Sequence, residues 1–185
     1  MRKFALIAAS LFAVATLASA QMNMSDDKSK RPSPPASSAC KFSDGKTIKI
    51  DYSSPRAKGR KIFGEASEKA LVPYGQIWRT GANDATAFVT DTNVTVGGMA
   101  VPAGSYTIFS VPKADAWSLV ISKKTGEWGI PYPGADQDLA RVDMKASSLP
   151  AAVENFTIAF DKSAGGCTLR MDWETTRASV DIGKM

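Results

Sequence analysis

The chain of 185 residues contains no histidine. That absence excludes imidazole acid–base catalysis, Ser-His and Cys-His nucleophile pairs, and the usual zinc and copper sites. Catalysis would have to fall to carboxylates, lysine, tyrosine or a bound hard cation. Cysteine is scarce, with two in all, Cys40 and Cys167. No apolar run reaches the length needed to span a bilayer as a helix. No basic run has the length of a nucleic-acid-binding arm, and the formal net charge of +5 is interspersed. Nucleic acid is therefore not an expected partner. No G-x-S-x-G is present. Ser43-Asp44-Gly45-Lys46 matches S-x-x-K by chance, since it falls on a turn between strands.

The N-terminus is patterned. Met1-Arg2-Lys3 is basic, Phe4 to Leu17 is almost wholly apolar, and Ala18-Ser19-Ala20 supplies small residues before a polar stretch. This predicts a signal peptide over residues 1–20, cleaved after Ala20, and a periplasmic or secreted mature chain. In an oxidising compartment two cysteines in one small domain pair, which predicts a Cys40–Cys167 disulfide. The polar Ser37-Ser38-Ala39 argues against a lipidated Cys40. Residues 21–39 are rich in Ser and Pro and hold almost nothing that packs, so they read as a disordered linker. Met22 and Met24 within it are two stray methionines rather than a copper site. Residues 40–185 form the single expected domain.

From Cys40 the hydrophobic period is two. Ile48, Ile50 and Tyr52 alternate with polar residues, as do Trp117, Leu119 and Ile121. The same holds for Phe156, Ile158 and Phe160, and for Leu169, Met171 and Trp173. Val94 and Val96 lead into Gly97-Gly98, a two-residue hairpin turn, and Val180 and Ile182 close the chain. The best helical stretch, Ala66 to Leu71, is a turn or two long. The pattern predicts an all-β fold: an antiparallel two-sheet β-sandwich of about eight or nine short strands with long irregular loops. Two segments escape the pattern, residues 53–84 and 128–138. Long irregular segments in a compact β domain are often functional.

Within the first segment, Tyr74, Trp78, Arg79, Asn83 and Asp84 are the candidate ligand-binding residues. An aromatic face stacks on a sugar's apolar side while forked donors and a carboxylate take hydroxyls. The competing reading makes Trp78 a core plug and Arg79 and Asp84 an ion pair. Arg56, Lys58, Arg60 and Lys61 around Gly59 form a candidate anion-binding cluster, too poor in glycine for a phosphate-cradling loop. Asp136-x-Asp138 lacks the further ligands of a calcium loop, so no metal and no cofactor is expected. Glu65, Asp84, Asp143 and Glu174 are carboxylates that nothing places across a cleft. Trp128 borders the second irregular segment and can line its rim.

The stretches Gly59-Arg60-Lys61-Ile62-Phe63-Gly64, Leu71 to Thr86, and Val96 to Tyr106 resemble a bacterial family known as domain of unknown function 2911. The resemblance covers about residues 45–183. It implies an exported β domain with no agreed activity, so no catalytic residue is transferred. The expected function is a non-catalytic exported module binding a small polar or glycan ligand or an envelope protein. The alternatives are a histidine-independent hydrolase or lyase using carboxylates or Tyr74, and a purely structural interaction domain.

Overall fold

The computed structural model of the protein describes residues 27–185. The expected leader over residues 1–20, its cleavage point after Ala20, and Met22 and Met24 lie outside the described residues. Eleven strands follow in order: β1 (Pro35–Lys41), β2 (Thr47–Ser53), β3 (Phe63–Gly64), β4 (Val72–Pro73), β5 (Thr86–Thr90), β6 (Val94–Val96), β7 (Met99–Val101), β8 (Gly104–Pro112), β9 (Ala116–Ser122), β10 (Asp138–Ser163) and β11 (Gly166–Lys184). Among the described residues the only helical turns are 3-10, including Ala66–Glu68 where the sequence suggested a short helix. The fold is all-β, as the period of two predicted.

Alternation explains the strands. Ile48, Ile50, Phe88, Ile108, Leu119, Ile121, Leu169, Met171 and Ile182 are essentially fully buried in one core. Each such side chain contributes about 1.5–3 kcal/mol of apolar burial. Their neighbours Lys49, Asp51, Ala87 and Ser105 face outward, because successive strand side chains point to opposite faces. The expected hairpin joins β6 to β7, with Gly97 at φ 55° and Gly98 at φ 84°. Two left-handed residues in succession are the conformation of a type I′ turn.

The layering differs from the expectation of two sheets. Nine strands join in one antiparallel sheet in the order β1-β2-β5-β8-β9-β10-β11-β6-β7, beside a separate parallel β3–β4 pair. The reason lies in β10 and β11, which run 26 and 19 residues and pair with each other from Lys145↔Ser179 to Ser163↔Gly166, while the start of β10 pairs with β9 and the end of β11 with β6. The alternation read as separate short strands belongs to one long bent hairpin. Register shifts interrupt it between Ser148 and Val153 and between Val153 and Thr157, and Glu174, opposite Val153, takes φ 53°. Beyond this bend the hairpin swings back toward the start of the chain. The Phe156 ring meets Tyr52 edge-on at 5.8 Å. The Ile158 N–H donates to the Tyr52 hydroxyl at 3.0 Å, and the Phe156 N–H donates to Pro55 O at 2.8 Å. The Cys40–Cys167 disulfide, present as predicted, ties β1 at the sheet edge to β11, seventh in the order. Such a link requires the sheet to curl over its own core.

The chain becomes regular earlier than the linker reading allowed. Residues 35–39 are most of β1 and pair with β2 from Pro35↔Ser53 onward. Their side chains are small and bury little surface, but their backbone groups complete the β2 ladder, a gain that composition does not register.

Candidate functional site

The structure takes the Tyr74–Asp84 segment apart. Trp78 is partly buried and packs against the core: its indole stacks on Trp173 (5.7 Å, 20° between planes) and meets Phe156 edge-on at 4.9 Å. Its Nε1–H donates to Gly81 O at 2.9 Å, and its backbone pairs both ways with Ser110. Tyr74 packs against the same core, with its N–H donated to Gly64 O. The turn that follows sets Thr80 and Asn83 at φ 56°, reversing the chain so that Arg79, Asn83 and Asp84 point away from that core. The Arg79 guanidinium donates to Asn83 O and to Trp128 O, and lies 5.3 Å from the Trp128 ring centroid. Asn83 Nδ2 donates to Ser33 O at 2.9 Å. Asp84 is paired with Lys28 (2.9 Å) and Arg31 (3.4 Å). Of the five predicted residues, Asp84 alone lines a cavity described below.

That cavity is a groove of about 1000 Å³ on the face of β1, β2, β5 and β8 opposite the core. Its floor follows from register. Ser37 pairs with Asp51, Asp51 with Ala87, Ala87 with Thr107, and Val89 with Ser105. Period two points all of these outward, and most are small, so the sheet surface is left low. One wall comes from the segment before β1, through Lys28 and Arg31, and from Asp84. The irregular loop 123–137 completes the lining through Thr125, Gly126, Glu127 and Trp128.

Loop 123–137 folds down onto the outer face because that face carries apolar residues further along. Phe109 and its register partner Val120 are buried on the side away from the main core, and Tyr132 meets Phe109 edge-on at 5.2 Å. Lys123 N–H donates to Gln137 O at 2.8 Å and closes the base of the loop. Gly129, at φ 82°, allows close approach to the segment before β5: a Cβ there would come within 2.9 Å of Ala85 Cβ and 3.2 Å of Arg79 Cβ. Only glycine meets both demands. This approach sets Trp128 on the rim, half exposed at 51%, as the sequence suggested. It also brings Glu127 in, with its carbonyl accepting from Ala85 N–H at 3.1 Å. One Glu127 carboxylate oxygen, Oε1, is buried without a hydrogen-bond partner. Buried polar atoms are seldom left so, and such an exception calls for an explanation.

The groove is charged in an orderly way. Lys28, and after it burial and Arg31, act on Asp84; the net effect of its hydrogen bond to Lys28 is to hold its carboxyl below the ordinary value. Asp84 is thus a carboxylate at neutral pH. Burial pulls the Arg79 guanidinium below the ordinary arginine value, offset in part by Asp84. It remains a cation at neutral pH. Asp51 pairs with Lys49 at 2.8 Å.

The basic cluster is dispersed over its own loop. Arg60 turns back on the carbonyls of Ala57 and Arg56, Lys61 pairs with Glu68, and the Lys58 amide donates to Glu154 Oε1. Arg56 forms a backbone bridge with Asn155. None of the four lines the groove. In the Asp136-x-Asp138 pair, Asp138 accepts from Tyr132 and Arg141 while Asp136 accepts from Gln137. Sequence reasoning missed Lys28, Arg31, Asp51 and Glu127 as groove residues. Lys28 and Arg31 stood in a stretch read as linker, and nothing local marked Glu127. It also missed buried Asp172, which Arg177 grips with two bonds of 2.7 Å and which Arg170 also contacts. The i, i+2 spacing of Arg170 and Asp172 on one strand face was the available signal.

A family model described as a protein of unknown function (DUF2911) matches residues 33–182. No curated protein and no solved structure matches the chain.

Proposed function

The chain belongs to this family of unknown function, and from the groove itself we propose that the protein is a non-catalytic module binding a small polar ligand, a glycan among them. One observation carries the reading. A cavity at the upper end of the usual ligand-site range joins a low floor of small side chains to a half-exposed Trp128 and the carboxylates of Asp51, Asp84 and Glu127. An indole face suits the apolar side of a sugar ring, and carboxylates accept from its hydroxyls. The Tyr74–Asp84 grouping thereby moves: Asp84 stays in the site, Trp128 supplies the aromatic face, and Trp78 and Tyr74 serve the fold. The test is a thermal-shift and tryptophan-fluorescence screen of the mature protein against mono- and oligosaccharides. A saturable response lost in Trp128→Ala supports the reading. No response to any ligand, or one indifferent to Trp128→Ala, refutes it.

A second reading has one observation in its favour: three carboxylates share the groove, as a histidine-independent hydrolase would need. The ion pair that keeps Asp84 ionised suits a binding role better than a general acid. Hydrolysis of glycans or esters, lost in Glu127→Gln, would favour the enzyme. Function outside the reducing cytosol is part of the proposal, supported by the Cys40–Cys167 bond.

A further inference from the structure

We propose that the free edge of β1 takes an added strand from a partner, an extended acidic peptide segment that enters the cleft between β1 and the tip of the β10–β11 hairpin. The inference is independent of the groove reading, because no residue lining the groove lines this cleft.

Register shows which backbone groups the edge offers. β1 stands at the end of the sheet order and pairs with β2 alone. The Ser54 N–H donates to Pro34 O at 2.9 Å, and the Phe42 N–H donates to Lys46 O at 2.8 Å. Bonded pairs in an antiparallel ladder recur at every second residue. Between those two pairs, Ala36, Ser38 and Cys40 therefore bond β2, and Ser37, Ala39 and Lys41 turn their N–H and C=O groups to the open side. The outer side of β10 is built alike. The N–H groups of Phe156 and Ile158 face away from β11 and donate to Pro55 O at 2.8 Å and to the Tyr52 hydroxyl at 3.0 Å. Among the described residues that stitching stops at Ile158. By the same alternation, Phe160 and Lys162 turn open groups outward.

Both strands line one cleft of about 660 Å³, β1 through Ala39 and Lys41 and β10 through Phe160 and Lys162. Buried Cys40, Phe42 and Cys167 add apolar lining. Charge then says what fits. Every charged residue lining the cleft is a lysine: Lys41, Lys162 and Lys184. Lys184 is paired with Asp44, while Lys41 and Lys162 have no ion-pair partner among the described residues. Edge lysines keep stray strands away, because covering an unpaired ammonium is costly. A strand that brings carboxylates removes that cost. In strand addition the main-chain bonds supply affinity and the side chains supply choice. A second copy of β1 would bring no carboxylate, since Pro35–Lys41 contains none. An acidic partner is the better match.

The test compares two capped hexapeptides on the mature protein, Val-Glu-Val-Glu-Val-Glu and Val-Lys-Val-Lys-Val-Lys. Binding is read by isothermal titration and by backbone hydrogen exchange. The acidic peptide is expected to bind about tenfold or more tighter than the basic one, with affinity falling as salt rises. It should also slow exchange at the Ser37, Ala39 and Lys41 amides. Lys41→Glu combined with Lys162→Glu should reverse the preference between the peptides. Ala39→Pro deletes an outward donor and no bond to β2, a change that edge strands tolerate. It should weaken the acidic peptide several-fold and leave the unfolding temperature nearly unchanged. Equal binding of the two peptides, silence of both, or edge amides left unprotected by the acidic peptide overturns the inference. So does a preference that survives the double lysine reversal. Edge amides protected without peptide, in a dimer seen by sedimentation, would give the edge to a second copy and overturn it as well.

Discussion

Two tryptophans of the same irregular regions give the sharpest test of where the site lies. Trp78→Ala removes an indole stacked on Trp173, edge-packed on Phe156 and Phe63, and bonded to Gly81 O. Emptying a fully buried tryptophan position costs about 3–5 kcal/mol; for this partly buried ring the low end applies, and the lost hydrogen bond adds about 1 kcal/mol. Trp128→Ala removes a ring 51% exposed that is in contact with the Arg79 guanidinium. That exposed cation–π contact is worth about 0.5–1 kcal/mol, and the half-buried ring little more. With an urea slope of about 2 kcal/mol per molar, Trp78→Ala should lower the midpoint by about 2 M and Trp128→Ala by about 0.5 M. Equilibrium urea unfolding followed by far-ultraviolet circular dichroism measures both without relying on the deleted fluorophores. Ligand response should show the reverse order, lost in Trp128→Ala and kept by whatever fraction of Trp78→Ala folds. Equal midpoint shifts, or a stability loss larger for Trp128, would refute the assignment of one ring to the core and the other to the groove.

Replacing Cys40 and Cys167 together by alanine opens a bridge of sequence separation 127; chain entropy sets the loss at about 5 kcal/mol as an upper figure, and a urea midpoint unchanged by the double substitution would contradict it. Tyr52→Phe strands the Ile158 N–H under the bent hairpin and should cost about 1–3 kcal/mol, measured by the same unfolding. Burial raises the Tyr52 phenol above 10.0, with the Ile158 bond acting in the opposite sense. Its contribution is therefore intact below pH 10 and lost as pH rises through the raised folded value, and alkaline unfolding should be milder in Tyr52→Phe relative to its own neutral stability. Asp84 is depressed below 3.8, chiefly by Lys28. The Lys28–Asp84 contact should accordingly be complete above that value and be lost as pH falls through the lower folded one. Carboxyl titration by nuclear magnetic resonance should show the Asp84 midpoint rise toward the ordinary value in Lys28→Ala, and no movement would argue against the contact in solution.

Much of the fold was legible because strand burial writes itself as a period of two. Ile48, Ile50 and Tyr52, or Leu169, Met171 and Trp173, announce a buried face without any knowledge of what they face. The Gly97-Gly98 turn was legible for a similar reason, since left-handed backbone favours glycine. The continuity of β10 and β11 was not, because a bend and a bulge look in sequence like the end of one strand and the start of another. The site was legible only in pieces. Asp84 and Trp128 stood out as a carboxylate and an aromatic in irregular segments. Lys28 meets Asp84 across 56 residues of sequence, and no local pattern encodes that distance.

Residue chemistry alone, then, determined that imidazole plays no part here, that the body is pleated strand, and that Cys40 and Cys167 have each other as partners. These are properties of composition and local period, which each residue carries with it. Which tryptophan fills the core and which borders the groove was decided by the tertiary structure. So was the pairing of Lys28 and Arg31 with Asp84 at the groove. Those outcomes depend on how the long hairpin bends over the core and where loop 123–137 comes down on the outer face, and packing between distant segments sets both.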